Sequence, residues 1–131
     1  MIDKDKAGLY SPLVLAYIGD SVYEVFTRKK VLDNNPNLPA HRLHKENVTY
    51  VKAKAQSNAM EVIEPMLSDQ ELAIYKRGRN AKSATVPKNA DLTDYRRATG
   101  FEALIGYLEL SGQSERLLEL MEVAFQNNKN I

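Results

Sequence analysis

The sequence predicts an all-α fold, on three observations. Apolar residues recur at helical spacing along most of the chain, cap and stop signals divide it at short intervals, and no segment alternates convincingly as a strand. At 131 residues the expectation is one domain with room for a real core. Hydrophobic residues make up 44% and charged residues 27%, an ordinary composition for a soluble globular protein. The absence of cysteine excludes disulfides and thiolate metal sites and fits a reducing cytosol. MIDKDKAGLY lacks the apolar stretch of a signal peptide, and no apolar run approaches the ~18 residues of a membrane span. A cytoplasmic protein with no membrane partner is expected.

The elements follow in order. Ser11-Pro12 is an N-cap with proline at the first helical position, so a helix should run from Pro12 to about Leu32. DNNPNLPA is a loop by its Asn and Pro content. A second helix is predicted from Ala40 or Arg42 to Ile63, with a break near Glu46-Asn47 and Val48, Val51, Ala55, Ala59 and Val62 on one stripe. Pro65 ends it. Ser68 to Glu71 form a capping box that opens a short helix to about Arg77. Arg77 to Ala90, RGRNAKSATVPKNA, lacks periodicity and reads as a loop. Thr93 or Asp91 caps a helix to Leu110, with Ala98, Phe101, Ile105 and Leu108 inward. Ser111-Gly112 stops it, and Ser114 opens the last helix on Leu117, Leu120, Met121, Ala124 and Phe125.

Formal net charge is only +1, but its distribution is uneven. Between Lys76 and Arg97 seven bases stand against two acids, and from Glu102 onward five glutamates stand against two bases. A nearly neutral chain can therefore still present one basic face.

Two helices carry a residue that folding alone does not favour. In LAYIGDSVYEVFTRKKVL, Gly19-Asp20 interrupts an apolar pattern. Glycine there costs roughly 1 kcal/mol against alanine, and a carboxylate needs a cation or donors to stay ionised. In RRATGFEALIGYLEL, Glu102 lies on a strip kept small by Ala98, Thr99 and Gly106. If the two small-residue strips face each other, the carboxylates converge into an oxygen donor set suited to Mg²⁺ or Mn²⁺. The alternative for each acid is a partner Lys or Arg, or solvent. Glu24, one turn after Asp20, reads as solvated or as an outer neighbour of the site. His41 and His44 have ligand spacing but no third ligand in view.

At these residues the chain resembles a known family. LAYIGDSVYEVFTR is similar to the signature helix of the ribonuclease III catalytic domain, and TGFEALIGYLEL to its second signature. RLHKENVTYVKAKAQSNAMEVI lies between them like the family's intervening helix. Its shortness, without an appended double-stranded-RNA-binding domain, resembles the Mini-ribonuclease III branch. The resemblance implies a ribonuclease III-type helical endonuclease domain and a metal-dependent endoribonuclease cleaving double-stranded RNA. For the branch it implies maturation of large-subunit (23S) ribosomal RNA, so its precursor is the expected substrate. It makes Asp20 and Glu102 the catalytic metal ligands, for Mg²⁺ with Mn²⁺ able to substitute. Two acids of the full family pattern are replaced here by Ala16 and Thr99, as in the Mini branch. That leaves the number of metal ions open. The resemblance further implies a homodimer and admits a ribosomal protein as accessory partner; the helices are too widely apolar for one buried stripe, and Val14, Tyr17, Tyr23 and Tyr107 are the spare apolar residues expected near the dimer seam.

Arg77, Arg79, Lys82 and Lys88, read as loop residues, are the expected RNA phosphate contacts, with Lys52 and Lys54 as weaker candidates. Two other readings stay open at this point. One is a non-catalytic RNA-binding relative on the same fold, and the other a helical phosphohydrolase of small molecules. Retention of both costly acids favours the nuclease.

Overall fold

The computed structural model describes residues 2–82 and 86–129. Among these the chain forms α1 (Lys4–Gly8), α2 (Pro12–Asn34), α3 (Ala40–Val51), α4 (Ala53–Ile63), a 3-10 turn (Glu64–Met66), α5 (Asp69–Asn80), α6 (Leu92–Leu110) and α7 (Ser114–Lys129), with no strand. Helix α6 is the axis. Residues 103–108 of it are all buried, so it is apolar on every side, and α2, α4, α5 and α7 pack around it. A smaller cluster of Val31, Tyr50 and Phe125 closes the end where α2, α3 and α7 meet, with the Tyr50 and Phe125 rings stacked at 4.2 Å.

The cap signals act as their chemistry dictates. Ser11 Oγ accepts from Leu13 N, and Ser68 and Glu71 form a reciprocal capping box. Asp91, not Thr93, starts α6 by accepting from Asp94 N at 3.0 Å. Gly112, at φ 69°, ends it with Gln113 N bonded to Leu108 O and Gly112 N to Glu109 O. The capping box is locked further by Arg116 of α7, which donates to both Glu71 oxygens at 2.9 Å and to Met66 O at 2.7 Å.

Four readings change. Helix α1 was not expected; it is too short to show periodicity, and Ile2 N bonded to Leu110 O secures the chain just before it. The second helix breaks at Lys52 (ψ 155°), not near Asn47, so α3 can follow α2 while α4 turns onto α6 and α7. Its apolar stripe does not continue across an extended residue. Val48 and Val62 are exposed, whereas Asn47, Tyr50, Gln56, Met60 and Ile63 are buried. Helix α5 continues to Asn80, so Arg77 and Arg79 are helical and the loop begins only after them; its residues 83–85 lie outside the described part. Tyr23 and Tyr107 are each 1% exposed and belong to the core, where Tyr23 meets the Phe101 ring edge-on. Of the four residues assigned to a seam, only Val14 and Tyr17 are on the surface.

The contact between α2 and α6 is made backbone to backbone. A Cβ on Gly19 would lie 1.8 Å from Glu102 O, and one on Gly106 would lie 1.9 Å from Leu15 O. Each glycine thus faces a carbonyl of the other helix, and no side chain can yield to make room. Gly19→Ala and Gly106→Ala should each lose about 3 kcal/mol or more in chemical denaturation. A loss below about 1 kcal/mol in both would contradict so close a crossing.

Candidate active site

The crossing places both unusual acids. Asp20 follows Gly19 on α2, and the Glu102 carbonyl is the atom that Gly19 faces. The two carboxyl groups lie close enough to act on each other, Asp20 exposed and Glu102 half-buried. Among the described residues neither takes part in an ion pair. The reading in which a seam carboxylate is matched by Lys or Arg therefore fails for both. Burial first, and the Asp20 carboxylate second, push the Glu102 carboxyl up to about 8.

Three further side chains surround the pair. Glu24 is half-buried rather than solvated: it accepts from Asn47 Nδ2 at 3.1 and 3.3 Å and pairs with Arg28 at 3.4 Å. Its charge also reaches Glu102 and adds to the upward push. Asn47 is 1% exposed. The third is Gln56 of α4, a buried amide that donates to Val51 O at 3.1 Å and favours the charged form of Glu102. Sequence reading missed both amides, although a polar residue recurring on an inward helical face is the signal they leave.

Two facing carboxylates without a protein cation, one of them open to solvent, fit a divalent cation that completes its shell with water and phosphate oxygens. The replaced family acids add nothing to the donor set. Ala16 has no ligand atom, and Thr99 Oγ1 donates to Tyr95 O at 3.0 Å. Among the described residues no group of three or more His, Asp or Glu side chains forms a metal cluster. His41 and His44 are exposed on the first turn of α3.

The basic residues divide into two sets. Arg77 donates to Gly8 O at 2.6 Å and Tyr10 O at 3.2 Å, which ties α5 to the end of α1. It is a structural tie on a helix, not a free loop cation. Arg79 lies over the Tyr75 ring and lines a cavity of about 390 Å³ with Arg96 and Arg97, two arginines not among the expected RNA-binding residues. Lys82 and Lys88 are exposed. Of the weaker candidates, Lys52 is exposed and Lys54 pairs with Asp94 at 3.8 Å.

The raised Glu102 carboxyl links stability to pH in the metal-free protein. Below about 4.5 it is protonated in both folded and unfolded chains, and its stabilising contribution is complete. Between about 4.5 and 8 only the folded chain holds the proton, so stability falls as pH rises; above about 8 the contribution is gone. The melting temperature in chelator should therefore drop across this window, and Glu102→Gln should flatten the drop. Equal slopes in both proteins would show that Glu102 is not the group responsible.

A family model described as Ribonuclease III domain matches residues 13–113. The Mini-ribonuclease 3 of Clostridium tetani is 50% identical over 113 residues, 86% of this chain and 75% of that protein. The Mini-ribonuclease 3 of a Thermoanaerobacter species is 48% identical over 126 residues, 96% of this chain and 88% of that one. A crystal structure of a Fusobacterium nucleatum protein superposes with a TM-score of 0.81 at 30% identity, covering 90% of this chain and 93% of the other. With the same helical fold and both signature helices crossing at the acid pair, the chain belongs to the ribonuclease III family, in its Mini-ribonuclease 3 group.

Proposed function

We propose that this ribonuclease III-type endoribonuclease cleaves double-stranded RNA with a divalent cation, Mg²⁺ or Mn²⁺, held by Asp20 and Glu102. The carrying observation is the facing acid pair with no protein counter-ion. A cation bound there supplies Lewis-acid activation and a nucleophilic water. Asp20 presents its carboxylate on the open side, where a phosphodiester can approach, and Glu102 holds from the buried side. Glu24, fixed by Asn47 and Arg28, adds negative charge that favours a cation over a bare acid pair. The names of the two relatives support an RNA substrate, and maturation of large-subunit ribosomal RNA in the cytoplasm is the role proposed within that class.

The duplex backbone is recognised through Arg79, Lys82 and Lys88, with Arg96 and Arg97 beside Arg79. Such side chains read phosphates and shape, as an A-form duplex requires. Two strands of opposite polarity call for two equivalent sites, which a two-fold homodimer provides. Leu13, Val14 and Tyr17 form an exposed apolar face on α2 less than two turns before Asp20, and Tyr17 is 75% exposed. This face is the proposed seam.

Asp20→Asn and Glu102→Gln keep shape and remove charge. Each should slow cleavage of a long RNA duplex by at least about 10²-fold, roughly 2.7 kcal/mol in barrier, with folding stability held or raised. Near-normal cleavage by either variant would remove that residue from the site, and full activity in chelator would remove the metal.

Charge removal at Arg79, Lys82 and Lys88 together should flatten the salt dependence of RNA affinity, at unchanged melting temperature. Each phosphate interaction removed should take just under one unit from the log–log slope. Arg77→Ala should do the reverse, lowering the melting temperature because two carbonyl hydrogen bonds disappear, while changing the slope little. An unchanged slope in the triple variant would take these residues off the RNA face.

A further inference from the structure

Helices α2 and α3 meet in a second basic stretch. From Arg28 to Lys45, five lysines and arginines and two histidines stand against Asp33 alone. Arg28 pairs with Glu24 and Lys30 with Glu122. Lys29, Arg42 and Lys45 are exposed and in no ion pair among the described residues. Neither the acid pair nor the duplex contacts of α5 and α6 use these three charges.

Inside the elbow between the two helices lies a cavity of about 250 Å³. Its apolar wall includes Val31, Ala40 and Leu43, and its polar members are Arg28, His44 and Asn47. The floor is firm, because Val31 is buried and Leu43 packs on the Val31, Tyr50 and Phe125 cluster. The volume falls just under the ~300 Å³ at which pockets for drug-sized molecules begin, so it suits one flat ring system and not a larger ligand. An apolar recess rimmed by cations matches a flat apolar body carried on an anionic backbone.

The cavity continues the acid site. Arg28 and Asn47, two of its polar members, are the residues that hold Glu24, at 3.4 and 3.1 Å. Asp20, Glu24 and Arg28 follow one another at four-residue spacing, a single row along α2. Eight residues of helix span about 12 Å, which a few nucleotides of one strand can cover. A strand with a phosphate at Asp20 can therefore run onto a basic surface that has a recess in it. Bases held in a duplex stay stacked, whereas unpaired bases splay out and stack on His rings or Arg guanidinium planes.

We propose that the α2–α3 elbow is a second RNA site, for unpaired nucleotides beside the duplex. Lys29, Arg42 and Lys45 hold the backbone, and the cavity takes one base between His44 and Arg28. The inference rests on the reading of this protein as a duplex-cleaving nuclease, and it narrows the substrate to a duplex that continues into single strand.

The test measures affinity in chelator, where the RNA stays intact, for a blunt duplex and for the same duplex with a short uridine extension at its 5′ or 3′ ends. One of the extensions should tighten binding at least about 5-fold, the low end of what one stacked base supplies. Ala40→Phe puts a ring of its own into the cavity, and His44→Ala removes a stacking partner. Both residues are exposed, so both variants should melt as wild type does. Each should return the extended duplex to blunt-duplex affinity and leave binding and cleavage of the blunt duplex unchanged. Thiouridine in the extension should cross-link to α3 or to the second half of α2. No gain from either extension, a gain that survives in both variants, or cross-links confined to other helices would overturn the proposal. An equal loss with blunt duplex would make the elbow a duplex contact instead, and dissociation of a dimer by Ala40→Phe in sedimentation would make it a contact between copies. Cleavage of blunt duplex by the wild-type protein in Mg²⁺ separates the two levels. Without it the nuclease reading itself fails; with it, a missing gain removes the elbow alone.

Discussion

The structure depends on one steric fact: α2 and α6 touch through carbonyl groups, with nothing between them but the α-carbons of Gly19 and Gly106. Because α6 is the axis of the fold, the depth at which α2 sits against it sets where the other helices can pack. The same crossing sets the site, since Asp20 is adjacent to one glycine and Glu102 supplies a carbonyl to that glycine. Helix spacing that elsewhere is padded by side chains is here fixed by main-chain atoms, which do not change rotamer. The carboxylates inherit that precision.

Such a crossing holds two acids together without a base, an arrangement unfavourable to folding by itself. The surroundings soften it only in part. The Asn47 amide reaches Glu24 and the Gln56 amide favours a charged Glu102, while Arg28 pairs with Glu24. A stretch with a large excess of bases over acids lies elsewhere, along α5, the following loop and the first turns of α6. Opposite charges held apart on one surface, with acids left unmatched, are a local conflict of the kind that marks a functional region.

What the sequence disclosed follows the same division between local and tertiary causes. Ser11-Pro12, the Ser68–Glu71 box and Gly112 act within one helical turn, and each is readable from neighbouring residues alone. The meeting of Asp20 and Glu102 was readable because small residues flank both, and small residues leave little other reason for two helices to approach. The break at Lys52 was not, because no proline or glycine marks it; it exists to send α4 onto α6 and α7. Gln56 was hidden with it, since its meaning depends on where that break falls. Arg77 looked like a free cation because its carbonyl partners are 67 and 69 residues away in sequence. Tyr23 and Tyr107 could be read as seam or core from spacing alone, and only the packed helices decide for core.

The family model stops at residue 113, but the packed core does not. Arg116 is the residue that neutralises Glu71, a side chain almost closed to water, and it also takes the Met66 carbonyl. Phe125 covers Tyr50, and Leu120, Met121 and Ala124 complete the wall behind α4 and α6. A recombinant fragment trimmed to residues 13–113, the span of the family model, would keep both signature helices and every acid of the site. It would also strand a buried anion at the start of α5 and open the hydrophobic interior along a whole flank. The reach of the family model and the extent of the packed core differ, in this protein, by the sixteen residues of α7 at one end and by α1 at the other.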